Sequence, residues 1–146
     1  MIDEGVSASI RRASPHDSLD HLIESAYARA TAVRGGRALV EQLWGEESDV
    51  ESTRAAIYQA VEEQRVWVGI VSEDIVAGAL VSGRCVQAVW VEHAHRRRGI
   101  ATSLLRELLK GEDPPSDAWA LPGDRSTKSL YESVGWKARL LTMRGA

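Results

Sequence analysis

The chain has 146 residues, 44% of them hydrophobic and 27% charged, with a formal net charge of −3. That length suits one domain with one sizeable core, and the acidic balance argues against a general nucleic-acid binder. A single cysteine, Cys85, excludes an intramolecular disulfide. The opening MIDEGVSAS lacks a basic stretch followed by an apolar core, so no leader is expected. No apolar run approaches the ~20 residues of a membrane span. The expectation is a cytoplasmic protein with neither a membrane nor a nucleic-acid partner.

Residues 1–9 are polar and read as a frayed end. Ile10–Ala13 reads as a short first strand. Ser14-Pro15-His16-Asp17 reads as a helix start, with Ser14 as N-cap and Pro15 in the first turn. Leu19, Leu22, Ile23 and Ala26 follow at helical spacing. Gly35-Gly36 breaks that pattern, and Arg37–Trp44 reads as a short second helix. Ser48-Asp49-Val50-Glu51 has capping-box spacing, and Ala55, Ile57, Tyr58 and Val61 lie on the helix after it. Val66–Val71 and Ile75–Val81 form a hairpin around Ser72-Glu73-Asp74, and Cys85–Val91 is a third β-rich run. These strands are apolar on both faces, which predicts helices on both sides of the sheet.

Ile100, Leu104 and Leu108, widened by Leu105 and Leu109, form the stripe of a further helix. Lys110-Gly111 closes it with a cation and a C-cap glycine. A loop over Glu112–Ser116 leads to a short strand at Ala118–Leu121. Asp124–Val134 reads as a helix ended by Gly135, and Lys137–Met143 as a last strand. The order predicts an α/β domain, strictly a mixed α+β sheet. Its first half is largely antiparallel, and parallel strands follow in the second half.

Between Val91 and the helix at Ile100 stands the run Arg96-Arg97-Arg98-Gly99. A helix N-terminus offers free backbone N–H groups and a partial positive charge, and both favour a phosphate. Gly99 lets the backbone approach closely, Ala101 is nearly as small, and the arginines add full charges. The stretch is built for a polyphosphate, although a solvated surface run is the usual fate of such arginines. His93-x-His95 is too sparse for a metal site. His95 is expected to pack or cap the loop, and Cys85 to be a small buried apolar residue.

VEHAHRRRGIATSLL, from Val91 to Leu105, resembles the acyl-CoA-binding motif of the GNAT superfamily of N-acetyltransferases. Arg96, Gly99 and Ala101 fall on the motif's fixed positions, while His93 stands where proline is usual. DRSTKSLYESVGW, from Asp124 to Trp136, resembles the family's later Asn-x-x-Ala-x-x-Leu-Tyr-Glu-x-x-Gly-Phe segment. There Leu130, Tyr131, Glu132 and Gly135 match, with Asp124 for Asn and Thr127 for Ala. The resemblance implies a central twisted mixed sheet flanked by helices on both faces, spanning the chain as one domain. It also implies acetyl-CoA as co-substrate, no metal, and direct acetyl transfer to a primary amine. The ten residues after Trp136 suffice for one of the family's two last strands, so the sheet is expected either to be short or to be completed by a second subunit in a homodimer.

The resemblance further implies that backbone groups of Val89 and Val91 hold the thioester. The pyrophosphate would lie on Arg96, Arg97, Arg98, Gly99, Ile100, Ala101, Thr102 and Ser103, with Asp124 and Lys128 beside the cofactor. An alkyl ammonium with a pKa of about 10.4 must lose a proton before attack. Glu92, on the same alternating face as Trp90 and Ala88, is the candidate base, or else an ordinary surface carboxylate. Tyr131 matches the family's general acid and would protonate the leaving thiolate; its alternative is a core tyrosine. Trp67 is expected in the core, and Trp44 and Tyr58 in the core or an acceptor pocket. Arg34 and Arg37 suit an acceptor loop for a carboxylate-bearing amine. An acyl-CoA-binding domain without catalysis is the competing function.

Overall fold

In the computed structural model, residues 8–32, 49–111, 113–120 and 124–138 are described. Five strands form one sheet in sequential order: β1 (Ser9–Arg12), β2 (Val66–Val71), β3 (Asp74–Ser82), β4 (Cys85–Val91) and β5 (Asp117–Ala118). The first three junctions are antiparallel and the last, β4 with β5, is parallel. Four α-helices accompany them: α1 (Asp20–Ala32), α2 (Val50–Glu62), α3 (Ile100–Leu108) and α4 (Arg125–Ser133).

Helices cover both faces, as the two-sided apolar strands require. On one face, Leu19 and Ile23 of the α1 segment and Ile57, Ala60 and Val61 of α2 pack on Val66, Val68 and Leu80. On the other, Ile100, Leu104, Leu105 and Leu108 of α3 join Tyr131 of α4 against Ala77, Ala79 and Val86. The α3 stripe recurs at helical spacing, and each of its four members is no more than 6% exposed. No described helix is long and apolar enough to cross a membrane.

Helix starts show where local chemistry overrides pattern. Ser14 does not cap α1. Instead Asp17 N–H donates to Ser14 O (2.9 Å) and Ser14 N–H donates to the Asp17 carboxylate (2.7 Å), closing a turn. Arg11 grips that carboxylate with two bonds of 2.8 and 2.9 Å. An Asp side chain satisfied by its own turn no longer competes for helix N–H groups, so α1 begins later, at Asp20. Tyr58 links the helices: its hydroxyl accepts from Leu19 N (2.9 Å) and donates to Asp20 (3.0 Å). It is therefore part of the packing between α1 and α2. At α2 the cap is Asp49, accepting from Ser52 N at 2.8 Å.

Trp67 is half-buried against the α3–α4 side, with the Arg12 guanidinium 4.9 Å over its ring. The strand expected at Ala118–Leu121 is the two-residue β5, one position earlier. Lys137 and Ala138 belong to no strand, and the remainder of the strand expected at Lys137–Met143 lies outside the described residues. So do the helix expected at Arg37–Trp44, the Arg34–Arg37 loop and Ser48.

One close approach fixes the sheet against α1. A Cβ on Gly78 would stand 2.9 Å from Trp90 Cε3 and 3.2 Å from Leu22 Cδ2. Only glycine lets the Trp90 ring lie flat on β3 beneath Leu22. Gly78→Ala is therefore expected to destabilise the fold by ~1–3 kcal/mol through overpacking, measured as a lower urea midpoint with an unchanged m-value.

Candidate functional site

The site grows from a short ladder. β4 and β5 pair only at Cys85–Asp117 and Val86–Ala118, followed by Trp119 N–H donating to Val86 O (3.0 Å). Beyond that point the strands part. Glu92 N–H donates to Val76 O (2.8 Å), and β4 keeps its register with β3, pairing Trp90 with Gly78 and Val89 with Ala79. Strand groups alternate sides. Residues 88, 90 and 92 therefore bond to β3, and the N–H and C=O of Val89 and Val91 point to the opened edge. An extended chain laid there can add its own hydrogen bonds like a strand.

That edge is one wall of a cavity of about 760 Å³. The first turn of α3 and its preceding loop form the second wall, α4 with Asp124 the third, and α1 the fourth. Val89, Val91, Arg96, Arg97, Gly99, Ile100, Ala101, Thr102 and Asp124 all line it. Arg97 (φ 64°) and Gly99 (φ 78°) are left-handed, which turns the chain sharply into α3. No side chain caps α3. The first helical bond runs from Ser103 N to Gly99 O, so the N–H groups of Ile100, Ala101 and Thr102 stay available at the positive end of the dipole.

The arginines divide their work. Arg96 folds back: Nε donates to Val91 O (3.1 Å) and Nη1 to His93 Nδ1 (3.3 Å), tying the loop to the strand end. Burial, and then repulsion from Arg29, lower its guanidinium from the usual arginine range. Arg97 faces the cavity, whereas Arg98 is exposed and off its wall. Ser103 and Lys128 are also off the wall, and Lys128 pairs with Glu132 at 3.6 Å.

Glu92 and Tyr131 lie behind the cavity wall rather than on it. The Glu92 carboxylate sits between His21 Nε2 (2.9 Å) and His95 Nδ1 (3.8 Å). Tyr131 is 6% exposed, its ring stacks on Trp136 at 5.7 Å, and its hydroxyl has no hydrogen-bond partner. Burial raises the phenol well above the ordinary tyrosine range, helped by Cys85 and Asp124.

Arg29, Ser126 and Trp119 also line the cavity, and sequence reasoning missed them. Arg29 Nη2 reaches from α1 to Ser126 Oγ (2.6 Å) and to the Asp124 carboxylate (3.9 Å). The carboxylate that replaces the family's Asn thus has a counter-charge across the cleft. Asp124 also caps α4, accepting from Thr127 N (3.2 Å) and Thr127 Oγ1 (2.6 Å). Arg29 follows the buried Leu22 and Ala26 on one helical stripe. A charge on an apolar stripe was the available signal.

The fold and cleft define an α/β protein with a cavity at a parted pair of parallel strands, bordered by an uncapped helix start. A family model described as ESCO1/2 acetyl-transferase matches residues 83–111, from the β3–β4 turn through α3. No curated protein matches the chain. Among solved structures, a transcriptional regulator from Bacillus halodurans C-125 superposes with a TM-score of 0.69 at 17% identity, covering 96% of this chain and 99% of its own. A GNAT-family acetyltransferase from Bacillus cereus ATCC 10987 gives 0.62 at 16% identity, covering 88% and 82%. The aminoglycoside N-acetyltransferase AAC(6')-Iy, in complex with CoA, gives 0.60 at 14% identity, covering 99% of both. The chain has the fold of the GNAT acetyltransferases.

Tyr131→Phe removes a buried hydroxyl that has no partner. The variant is expected to be more stable than wild type by about 1 kcal/mol, read from the urea midpoint.

Proposed function

We propose that the protein is an acetyl-CoA-dependent N-acetyltransferase that moves an acetyl group directly from the CoA thioester to a primary amine. The observation that carries this reading is the meeting, in one cavity, of the open β4 edge with the uncapped start of α3. A pantetheine arm carries amides that can pair with Val89 and Val91, and a diphosphate suits the N–H groups of Ile100, Ala101 and Thr102. Arg97 adds charge, and Arg96 holds the loop in place. Tyr131 supplies a proton to the departing thiolate; its burial keeps the phenol protonated across the working range. Glu92 acts on the acceptor's proton from behind the cavity wall, through a group that lines it. AAC(6')-Iy, which has the same fold, is seen with CoA, and this supports the choice of donor. The setting is cytoplasmic, with no metal, membrane or nucleic acid required.

A second reading is an acyl-CoA-binding domain without catalysis. It draws on the places of Glu92 and Tyr131 behind the wall. Turnover separates the two: release of CoA thiol from acetyl-CoA with a panel of primary amines supports the enzyme, and tight binding with no release supports the sensor.

Ala101→Glu places a carboxylate in the first turn of α3. Helix electrostatics favour that substitution, so the thermal midpoint is expected to hold or rise. Acetyl-CoA affinity by calorimetry is expected to fall at least tenfold, because the new charge occupies the diphosphate's place; equal affinity would remove the diphosphate from α3.

Arg29→Ala leaves the Asp124 carboxylate without its counter-charge beside the cofactor. Acetyl-CoA affinity is expected to fall about tenfold, and Asp124→Asn added to Arg29→Ala to recover most of the loss. A double variant no better than Arg29→Ala would assign Arg29 a direct ligand contact instead.

A further inference from the structure

We infer that His95 is the base that takes the proton from the acceptor amine, with Glu92 behind it as the residue that orients its ring. The inference rests on the acetyl-transfer reading above and adds a residue that the sequence pattern had assigned to loop packing.

Glu92 does not reach the cavity; His95 does. One Glu92 oxygen is held by His21 Nε2 at 2.9 Å. The same nitrogen stands 3.0 Å from Ile75 O. Ile75 O is an acceptor, so His21 Nε2 carries a hydrogen and donates it there, with the Glu92 oxygen at ion-pair distance beside it. The carboxylate is thereby fixed from the α1 side. Its other oxygen faces His95 Nδ1 at 3.8 Å. The turn His93–His95 brings the two residues together, since His95 N–H donates to Glu92 O (2.9 Å).

The two ring nitrogens differ. Nδ1 is buried and has no hydrogen-bond partner. Nε2 is not among the buried unpartnered atoms, and the side chain is 25% exposed, on the cavity. A carboxylate facing Nδ1 favours the tautomer with hydrogen there, leaving the Nε2 lone pair toward the acceptor. The nearby His93 cannot compete for this role, because its Nδ1 is taken by Arg96.

The step balances. The ammonium gives one proton to His95 Nε2. The neutral amine then forms the N–C bond at the thioester carbonyl, and the C–S bond breaks with its electron pair going to sulfur. The nitrogen loses its second proton to solvent, and the thiolate takes one from Tyr131. Tyr131 is recharged by the proton held on His95, relayed through water, so one proton is released per turnover.

The test uses the full chain with 15N-labelled histidine. NMR of the imidazoles is expected to show neutral His95 with its hydrogen on Nδ1 in wild type, and on Nε2 in Glu92→Ala. A wild-type Nε2–H ring overturns the inference without any activity measurement. Kinetics use the fastest primary amine among spermidine, lysine amide and kanamycin. His95→Gln is expected to lower kcat at least 100-fold with acetyl-CoA affinity within threefold, and added imidazole to restore part of the rate of His95→Ala. Wild-type turnover in His95→Gln overturns the role of His95 while leaving acetyl transfer intact. A wild type that binds acetyl-CoA and acetylates no amine overturns both.

Discussion

The structure depends on how early β4 and β5 part. Two ladder positions join them before Trp119 closes the last bond. A longer parallel ladder would engage the N–H and C=O of Val89 and the N–H of Val91 from within the chain; the Val91 C=O already accepts from Arg96 Nε. These half-buried groups line the cavity instead, where an extended chain can pair with them. What keeps β4 straight after it loses one neighbour is its other side. Register with β3 persists to Val91 and is extended by the bond from Glu92 to Val76, and Trp90 lies on Gly78 under Leu22.

The charges in the cleft follow from that opening. An anion at the start of α3 needs N–H groups and a loop that does not move. Arg96 supplies the second of these by bonding the strand's last carbonyl, at the cost of a direct phosphate contact. Arg29 approaches from the opposite wall, and the two guanidiniums repel. The empty cleft holds more positive charge than negative on its walls, and Asp124 offsets only part of it. A diphosphate entering this space relieves the repulsion as well as meeting the helix dipole.

Much of this was open to reading from residue order. β4 has the predicted bounds, Cys85–Val91. The α3 stripe begins at the predicted residue and buries Leu104, Leu105 and Leu108, while the half-buried Leu109 is the C-cap in place of the expected Gly111; an apolar period of 3.6 after a glycine admits little else. The helix start that the proposed anion site would use was readable for the same reason, since helix starts have sequence signals. The start of α1 was not readable from Ser14-Pro15, because Asp17 could cap a helix or close its own turn. Arg11, from a neighbouring strand, decided for the turn. Contacts between distant elements were hidden in the same way. Nothing local to Arg29 names Ser126 as its partner, and nothing local to His21 names Glu92.

Glu92 shows what a local reading fixes and what it leaves to the tertiary structure. Alternation along β4 puts it on the face of Ala88 and Trp90, and the structure agrees, since it meets His21 of α1. Glu92 itself is not on the cavity wall, and the turn that follows places His95 on it, with Nδ1 3.8 Å from the carboxylate. A carboxylate held by one imidazole and facing the buried nitrogen of another is placed to orient a base, in the way that carboxylates fix histidine tautomers elsewhere. The proline usual to this motif would stiffen the loop at position 93. Here that position is a histidine, and the loop draws its rigidity from the Arg96 bonds to Val91 and His93 instead. Arg96 thus ties both the loop that leads into α3 and the turn that carries His95 to the end of β4.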